Sequence, residues 1–272
     1  MSMETYPLAR RDILTLAGLA SISPFVLEPP PLQTRSAGQA DARRRELYGL
    51  MGDLPARTRP IGGKKRGEAE RDGYMLETWD LDLNGIETVP AYLARPLGAT
   101  GRLPAVLFNH SHGGGYKIGK QEFVDGRSYL QPVPYAKELT GLGYVSLAID
   151  HWIFDERIKV TVDINCLTDF QALLARKALS LHGVYYFVPG LIKHFTTAQI
   201  NALIAPRAHL GLAGLRDKLT PVEGLDVIDK ELQQVYAKLG HPERWKLLRY
   251  DVEHQETPEG RQEIIAFLKK FL

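Results

Sequence analysis

Residues 74–83 alternate apolar and polar side chains, Asn84-Gly85 supplies a turn, and residues 86–93 continue in strand-forming types. That pattern predicts an antiparallel hairpin. Short apolar runs follow at 104–110, 144–149, 158–164, 208–213 and 245–250. Each is of strand length and bounded by turn residues, which predicts buried strands of a parallel sheet. Helical spacing appears elsewhere. Leu47, Leu50, Met51 and Leu54 mark one face over 41–54. Further helices are predicted over 134–142, ending at Gly143, over 223–239, closed by Gly240, and over 261–272. Residues 55–72 are basic and rich in Gly and Pro, and read as a loop. Strands alternating with helices predict an α/β fold with a mostly parallel sheet flanked by helices and an N-terminal antiparallel hairpin.

One interval breaks this rhythm. Only residues 151–157, HWIFDER, separate the run ending at Ile149-Asp150 from the run that starts at Ile158. A crossover between parallel strands takes at least about 10–12 residues, its helix included. The chain reads as though one contiguous block had been removed near Phe154 and Asp155, leaving one central strand missing.

The chain has 272 residues, 44% of them apolar, and a net charge of +2. This suits one domain over 41–272 with a substantial core, and gives no charge bias toward nucleic acid. Cys166 is the only cysteine, which excludes an internal disulfide, and its place at the end of an apolar run points to a buried, inert thiol. Arg10-Arg11 precede a short apolar run ending near Leu27. Residues 1–40 are similar to a Tat-type export signal, with Ala40 at a small-residue cleavage site, and imply an exported, periplasmic or extracellular protein. The run is too short and interrupted for a stable membrane span.

The candidate chemistry starts at Asn109-His110-Ser111-His112-Gly113-Gly114-Gly115, directly after the run at 104–110. Glycines at the carboxyl end of a strand let a ligand approach main-chain amides closely. The segment VPAYLARPLGATGRLPAVLFNHSHGGGYKIGK resembles the entry to an α/β-hydrolase of the dienelactone-hydrolase and acetyl-xylan-esterase-like group. LGLAGLRDKLTP resembles that family's acid loop and RYDVEHQET its histidine loop. The resemblance implies an α/β-hydrolase fold and a carboxyl-ester hydrolase. Its substrate is a small-molecule ester of a small acid, carbohydrate-borne esters included, and it needs no cofactor and no metal. It makes Asp217 the acid and His254 the base, with Asp163 the alternative acid, and makes Ser111, His112, Gly113 and Gly114 the oxyanion loop.

The chain departs from the family in one respect. Gly-x-Ser-x-Gly, the nucleophile elbow, occurs nowhere in it. Ser111 alone among the serines after the leader has a glycine two residues later, which makes it a degenerate elbow inside the oxyanion loop. Ser146 lies within a predicted strand, and Ser128 and Ser180 lack the glycine. Two further readings stay open: a ligand-binding pseudo-hydrolase, and a metal site drawing on His110, His112, Asp150, His151 and His254. His182, Tyr185, Tyr186 and His194 fall in a segment that covers the site in relatives, and ordinary packing accounts for each.

Overall fold

A computed structural model describes residues 37–52, 54, 58–111, 115, 117–149, 158–183 and 188–272. Its strands are β1 (Gly62–Arg71), β2 (Tyr74–Asp82), β3 (Thr88–Pro96), β4 (Ala105–Phe108), β5 (Val145–Ile149), β6 (Val160–Ile164), β7 (Ala208–Gly214) and β8 (Trp245–Tyr250). Its helices are α1 (Ala37–Leu50), α2 (Gln121–Asp125), α3 (Tyr135–Gly141), α4 (Phe170–Ala175), α5 (Leu191–His194), α6 (Thr197–Asn201), α7 (Val222–Lys238) and α8 (Pro258–Phe271). The five apolar runs all form strands, including the one after the short 151–157 link. That link and the junction at Phe154 lie outside the described residues.

The described residues gather into two compact units, one within 55–160 and the other made of α1 with 161–271. The first holds a five-stranded sheet of order β1-β2-β3-β5-β4. β2 and β3 form the predicted hairpin, with Asp82 opposite Thr88. Its turn is closed by side chains: Asp82 accepts the Gly85 N–H, and Asn84 accepts those of Ile86 and Glu87. β3 runs antiparallel to β5, and β5 parallel to β4. Leu81, Val89, Ala91, Leu107 and Ile149 form the core of this sheet. Phe108, at the end of β4, packs against Phe123 of α2 and Tyr135 of α3 at ring distances of 5.3 and 5.4 Å. Those two helices therefore fix the root of the glycine-rich stretch.

β1 corrects the reading of 55–72 as loop. GGKKRGEAER offers no apolar alternation because nearly the whole strand is exposed. Charge holds it to β2 instead. Lys65 pairs with Glu77 at 3.1 Å, and Arg66 pairs with Asp80. Burial raises the Glu77 pKa, but hydrogen bonds from Arg95, Trp79 and Lys65 outweigh it, and the carboxyl sits below its usual range. A charged edge strand also resists pairing with other chains.

The second unit holds a three-stranded sheet of order β6-β7-β8, with β7 and β8 parallel. β7 is buried along its whole length. Leu225, Ile228, Leu232 and Tyr236, spaced three and four apart, turn one face of α7 onto Leu167, Ala213 and Trp245. α1 begins at Ala37 and belongs to this unit: Leu47 packs with Leu191, Phe195, Ile200 and Leu203, and Arg44 donates to the Leu203 carbonyl at 2.8 Å. Leu54, read as part of that apolar face, lies beyond the helix and is exposed. Among the described residues no helix is long and apolar enough to cross a membrane.

Candidate active site

Parallel pairing puts the carboxyl ends of β7 and β8 side by side, with Gly214 opposite Tyr250. The two loops leaving them are joined by backbone. The Leu215 N–H donates to the Tyr250 carbonyl at 2.8 Å, and the Arg216 N–H to the Val252 carbonyl at 2.9 Å. Only glycine permits this approach at 214. A Cβ there would stand 2.2 Å from the Glu253 carbonyl oxygen and 2.6 Å from that of Val252. At its far end the histidine loop is tied to α8 by a buried, two-bonded pair, Arg261 to Glu256, at 2.8 and 2.7 Å.

This scaffold brings Asp217 and His254 together. His254 Nδ1 donates to Asp217 Oδ2 at 2.7 Å. Asp217 is 5% exposed, and its other oxygen accepts the Leu219 N–H at 2.8 Å. His182 Nε2 donates to the Leu219 carbonyl at 3.2 Å, which steadies the turn that presents the carboxylate. With Nδ1 donating, Nε2 of the imidazole keeps its lone pair, and the ring remains half-exposed. This is the arrangement in which a carboxylate sets the tautomer of a general base and stabilises the imidazolium it becomes.

Gly214→Ala is expected to destabilise the protein by about 1–3 kcal/mol, the range for overpacking, since the clash falls on backbone that cannot rotate away. Urea denaturation of the variant beside the parent measures it.

Asp163 is engaged elsewhere. Its Oδ2 pairs with Nε2 of the fully buried His209, and its Oδ1 accepts the Cys166 thiol at 3.7 Å. Burial, and then the Asp163 charge, push the Cys166 pKa well up, so the thiol stays protonated. Ser146 is buried inside β5. His194 pairs with Glu46 of α1 at 3.0 Å, a surface contact. Tyr185 and Tyr186 lie outside the described residues.

In the other unit, the Ser111 N–H donates to Glu122 Oε1 at 3.0 Å, and His110 Nδ1 donates to the Ser111 carbonyl at 3.1 Å. The first bond occupies an amide that the sequence assigns to the oxyanion loop. His112, Gly113 and Gly114 lie outside the described residues, as do Asp150 and His151. Among the described residues no three His, Cys, Asp or Glu side chains are grouped to hold a metal ion. Sequence reasoning passed over Gly214 and Glu122. A glycine ending a buried strand was the one available signal for Gly214; a single acid in KIGKQEF carries none.

No family model matches the sequence. The chain is 38% identical to "Putative hydrolase YtaP" of Bacillus subtilis (strain 168), over 85% of this chain and 99% of that protein. The alignment spans 296 residues, more than this chain contains, while 85% of the chain is about 231. About 65 positions of YtaP in total therefore have no counterpart here. Among solved structures, the chain resembles a "putative acetyl xylan esterase" from Bacteroides fragilis NCTC 9343, with a TM-score of 0.61, 13% identity, and 86% of this chain and 88% of that one covered. It also resembles a glucuronoyl esterase from Solibacter usitatus, with a TM-score of 0.57, 12% identity, and coverage of 96% and 98%. At such identities these two likenesses speak to fold, and the fold is that of α/β-hydrolase esterases. With 38% identity across nearly all of YtaP, the chain belongs to the YtaP family of hydrolases, built on the α/β-hydrolase fold.

Proposed function

We propose that this chain is a carboxyl-ester hydrolase of the serine type that retains its acid and base, Asp217 and His254, and lacks the block carrying its nucleophile. The observation that carries the reading is the 2.7 Å bond between those two side chains on the ends of neighbouring parallel strands. The order, acid before histidine, is that of α/β-hydrolases. The sequence contains no Gly-x-Ser-x-Gly. About 65 unmatched positions of YtaP are enough for a strand, an elbow and the helix behind it, and the 151–157 link is where such a block would fit. The chain as it stands is impaired in this reading, since its sequence holds no elbow serine for His254 to deprotonate.

The substrate class is an ester of a small acid, with carbohydrate esters favoured by the fold neighbours. The oxyanion site is the stretch from Ser111 to Gly114, with donors other than the Ser111 amide. Export is part of the proposal. Arg10-Arg11 with the apolar run after them supports it.

The experiment inserts the unmatched residues of YtaP between Phe154 and Asp155. The restored and original chains are then assayed on an aryl acetate, acetylated xylan and a glucuronoyl ester. Hydrolysis of at least one by the restored chain alone is expected. A folded restored chain that hydrolyses none would overturn the reading.

A further inference from the structure

The loop that carries His254 runs from the end of β8 at Tyr250 to the start of α8 at Pro258. Bonds inside it are short in span. The Val252 N–H donates to the Tyr250 carbonyl at 2.8 Å, and the Gln255 N–H to the Glu253 carbonyl at 2.9 Å. Three-residue turns of this kind bend the chain locally and leave the loop to be placed from outside. Before His254 the acid loop does this. The Arg216 N–H donates to the Val252 carbonyl at 2.9 Å, and the absence of a Cβ on Gly214 lets the Val252 and Glu253 carbonyls come close. After His254 the anchor is an ion pair. Arg261 donates from Nε and Nη2 to the two oxygens of Glu256, at 2.8 and 2.7 Å, and the two side chains are 6% and 0% exposed.

Arg261 is itself fixed. It lies in the first turn of α8, where Thr257 Oγ1 accepts the Gly260 N–H and the Thr257 carbonyl accepts the Arg261 N–H, both at 3.0 Å. The helix presses on the sheet at that turn: a Cβ on Gly260 would stand 2.8 Å from the Leu212 side chain of β7 and 3.4 Å from the Tyr250 ring of β8. Ile264, Phe267 and Leu268 continue as buried residues along the helix.

A buried ion pair is a poor route to stability. Taking both charges out of water offsets most of their attraction, and apolar side chains of similar volume often hold such a place as well or better. What apolar contact lacks is direction. A two-bonded guanidinium–carboxylate fork sets distance and orientation together. We propose that Glu256 and Arg261 are positioning residues: their fork fixes the second half of the histidine loop on α8, and so sets where the His254 imidazole meets Asp217. This rests on the esterase reading above. The 2.7 Å bond from His254 Nδ1 to Asp217 weakens steeply with misalignment, so a loop held at one end only would let it lengthen and open.

The test compares the full chain with a variant carrying both Glu256→Leu and Arg261→Met. Two readouts are taken on each: the urea midpoint, and exchange of the His254 Nδ1 proton with water, followed by NMR. The double variant is expected to unfold at a urea concentration no lower than the parent's, while Nδ1 exchange speeds up at least about tenfold, the factor for weakening one hydrogen bond to a charged group. Exchange equal to the parent's would overturn the proposal. So would a folded double variant whose urea midpoint falls in step with the protection, since the pair would then serve packing alone. Should the double variant fail to fold, Arg261→Lys decides. It keeps the charge and gives up the fork. Faster Nδ1 exchange in it supports the proposal, and parent-like exchange overturns it. In the chain restored with the YtaP residues, the same double variant is expected to lower kcat about tenfold with KM little changed, and an unchanged kcat would overturn the proposal. If the restored chain is inactive, the esterase reading falls, and Nδ1 exchange still judges the positioning role.

Discussion

Inserting the residues that YtaP has and this chain lacks, between Phe154 and Asp155, is expected to raise turnover of an aryl acetate by about 10⁶-fold. In a serine hydrolase, removing the nucleophile alone costs about 2 × 10⁶ in kcat. The catalysis left over, about 10³–10⁴ above water, comes from the oxyanion hole and substrate binding. Here that remainder is smaller still, because the amide after the nucleophile is normally one of the two oxyanion donors and goes with it. The Ser111 amide does not replace it, since Glu122 already accepts its hydrogen. Under the proposed reading the insertion supplies the nucleophile and one oxyanion donor. Thermal unfolding of both chains, run beside the assay, checks that the comparison is between folded proteins. A folded restored chain within tenfold of the original would contradict the account.

In the restored chain, Asp217→Asn is expected to lower kcat by about 10⁴-fold, and His254→Ala by about 10⁶-fold. The carboxylate accepts from His254 Nδ1 at 2.7 Å and from the Leu219 amide at 2.8 Å. An asparagine keeps the volume but offers its amide N–H to one of those groups. The bond that remains either loses the Leu219 amide or turns the imidazole into the wrong tautomer, with its proton on Nε2. A base protonated at Nε2 cannot take a hydrogen from serine. KM should change little, because neither side chain is asked to bind the ground state. A kcat loss below tenfold in Asp217→Asn would move the acid role to another residue. Asp163 would then need to leave His209, with which it pairs in the core.

The parts of this fold that were legible in the sequence are those whose burial follows a period. β7 is buried throughout and reads as an apolar run broken only by His209, and α7 carries its core residues at helical spacing. The hairpin was marked by Asn84-Gly85, whose turn is closed by Asp82 and Asn84 side chains. β1 was hidden because it is held by ion pairs across to β2, and a charged, exposed strand has no hydrophobic signature. α2 spans only five residues, shorter than any periodic signal.

The pairing of Asp217 with His254 was readable because each follows a strand and sits in a stretch similar to a known loop. What holds them was not. The constraint on Gly214 comes from the carbonyls of Val252 and Glu253, far along the chain, and only the pairing of β7 with β8 brings them near. Glu122 is likewise defined by Ser111, Arg127 and Tyr129, none of which shares a spacing pattern with it. Asp163, the alternative acid, lies within β6 and pairs with His209 on the neighbouring strand, a contact that no local pattern announces.

The most direct measurement is made on the chain as it is. A fluorophosphonate probe is applied to the purified protein, and adducts are located by mass spectrometry, alongside aryl acetate turnover by the parent and by Ser111→Ala. The account predicts no stoichiometric adduct on any serine and no difference in turnover between the two proteins. A stoichiometric adduct on Ser111, with turnover lost in Ser111→Ala, would contradict it and make the glycine-rich loop the nucleophile elbow.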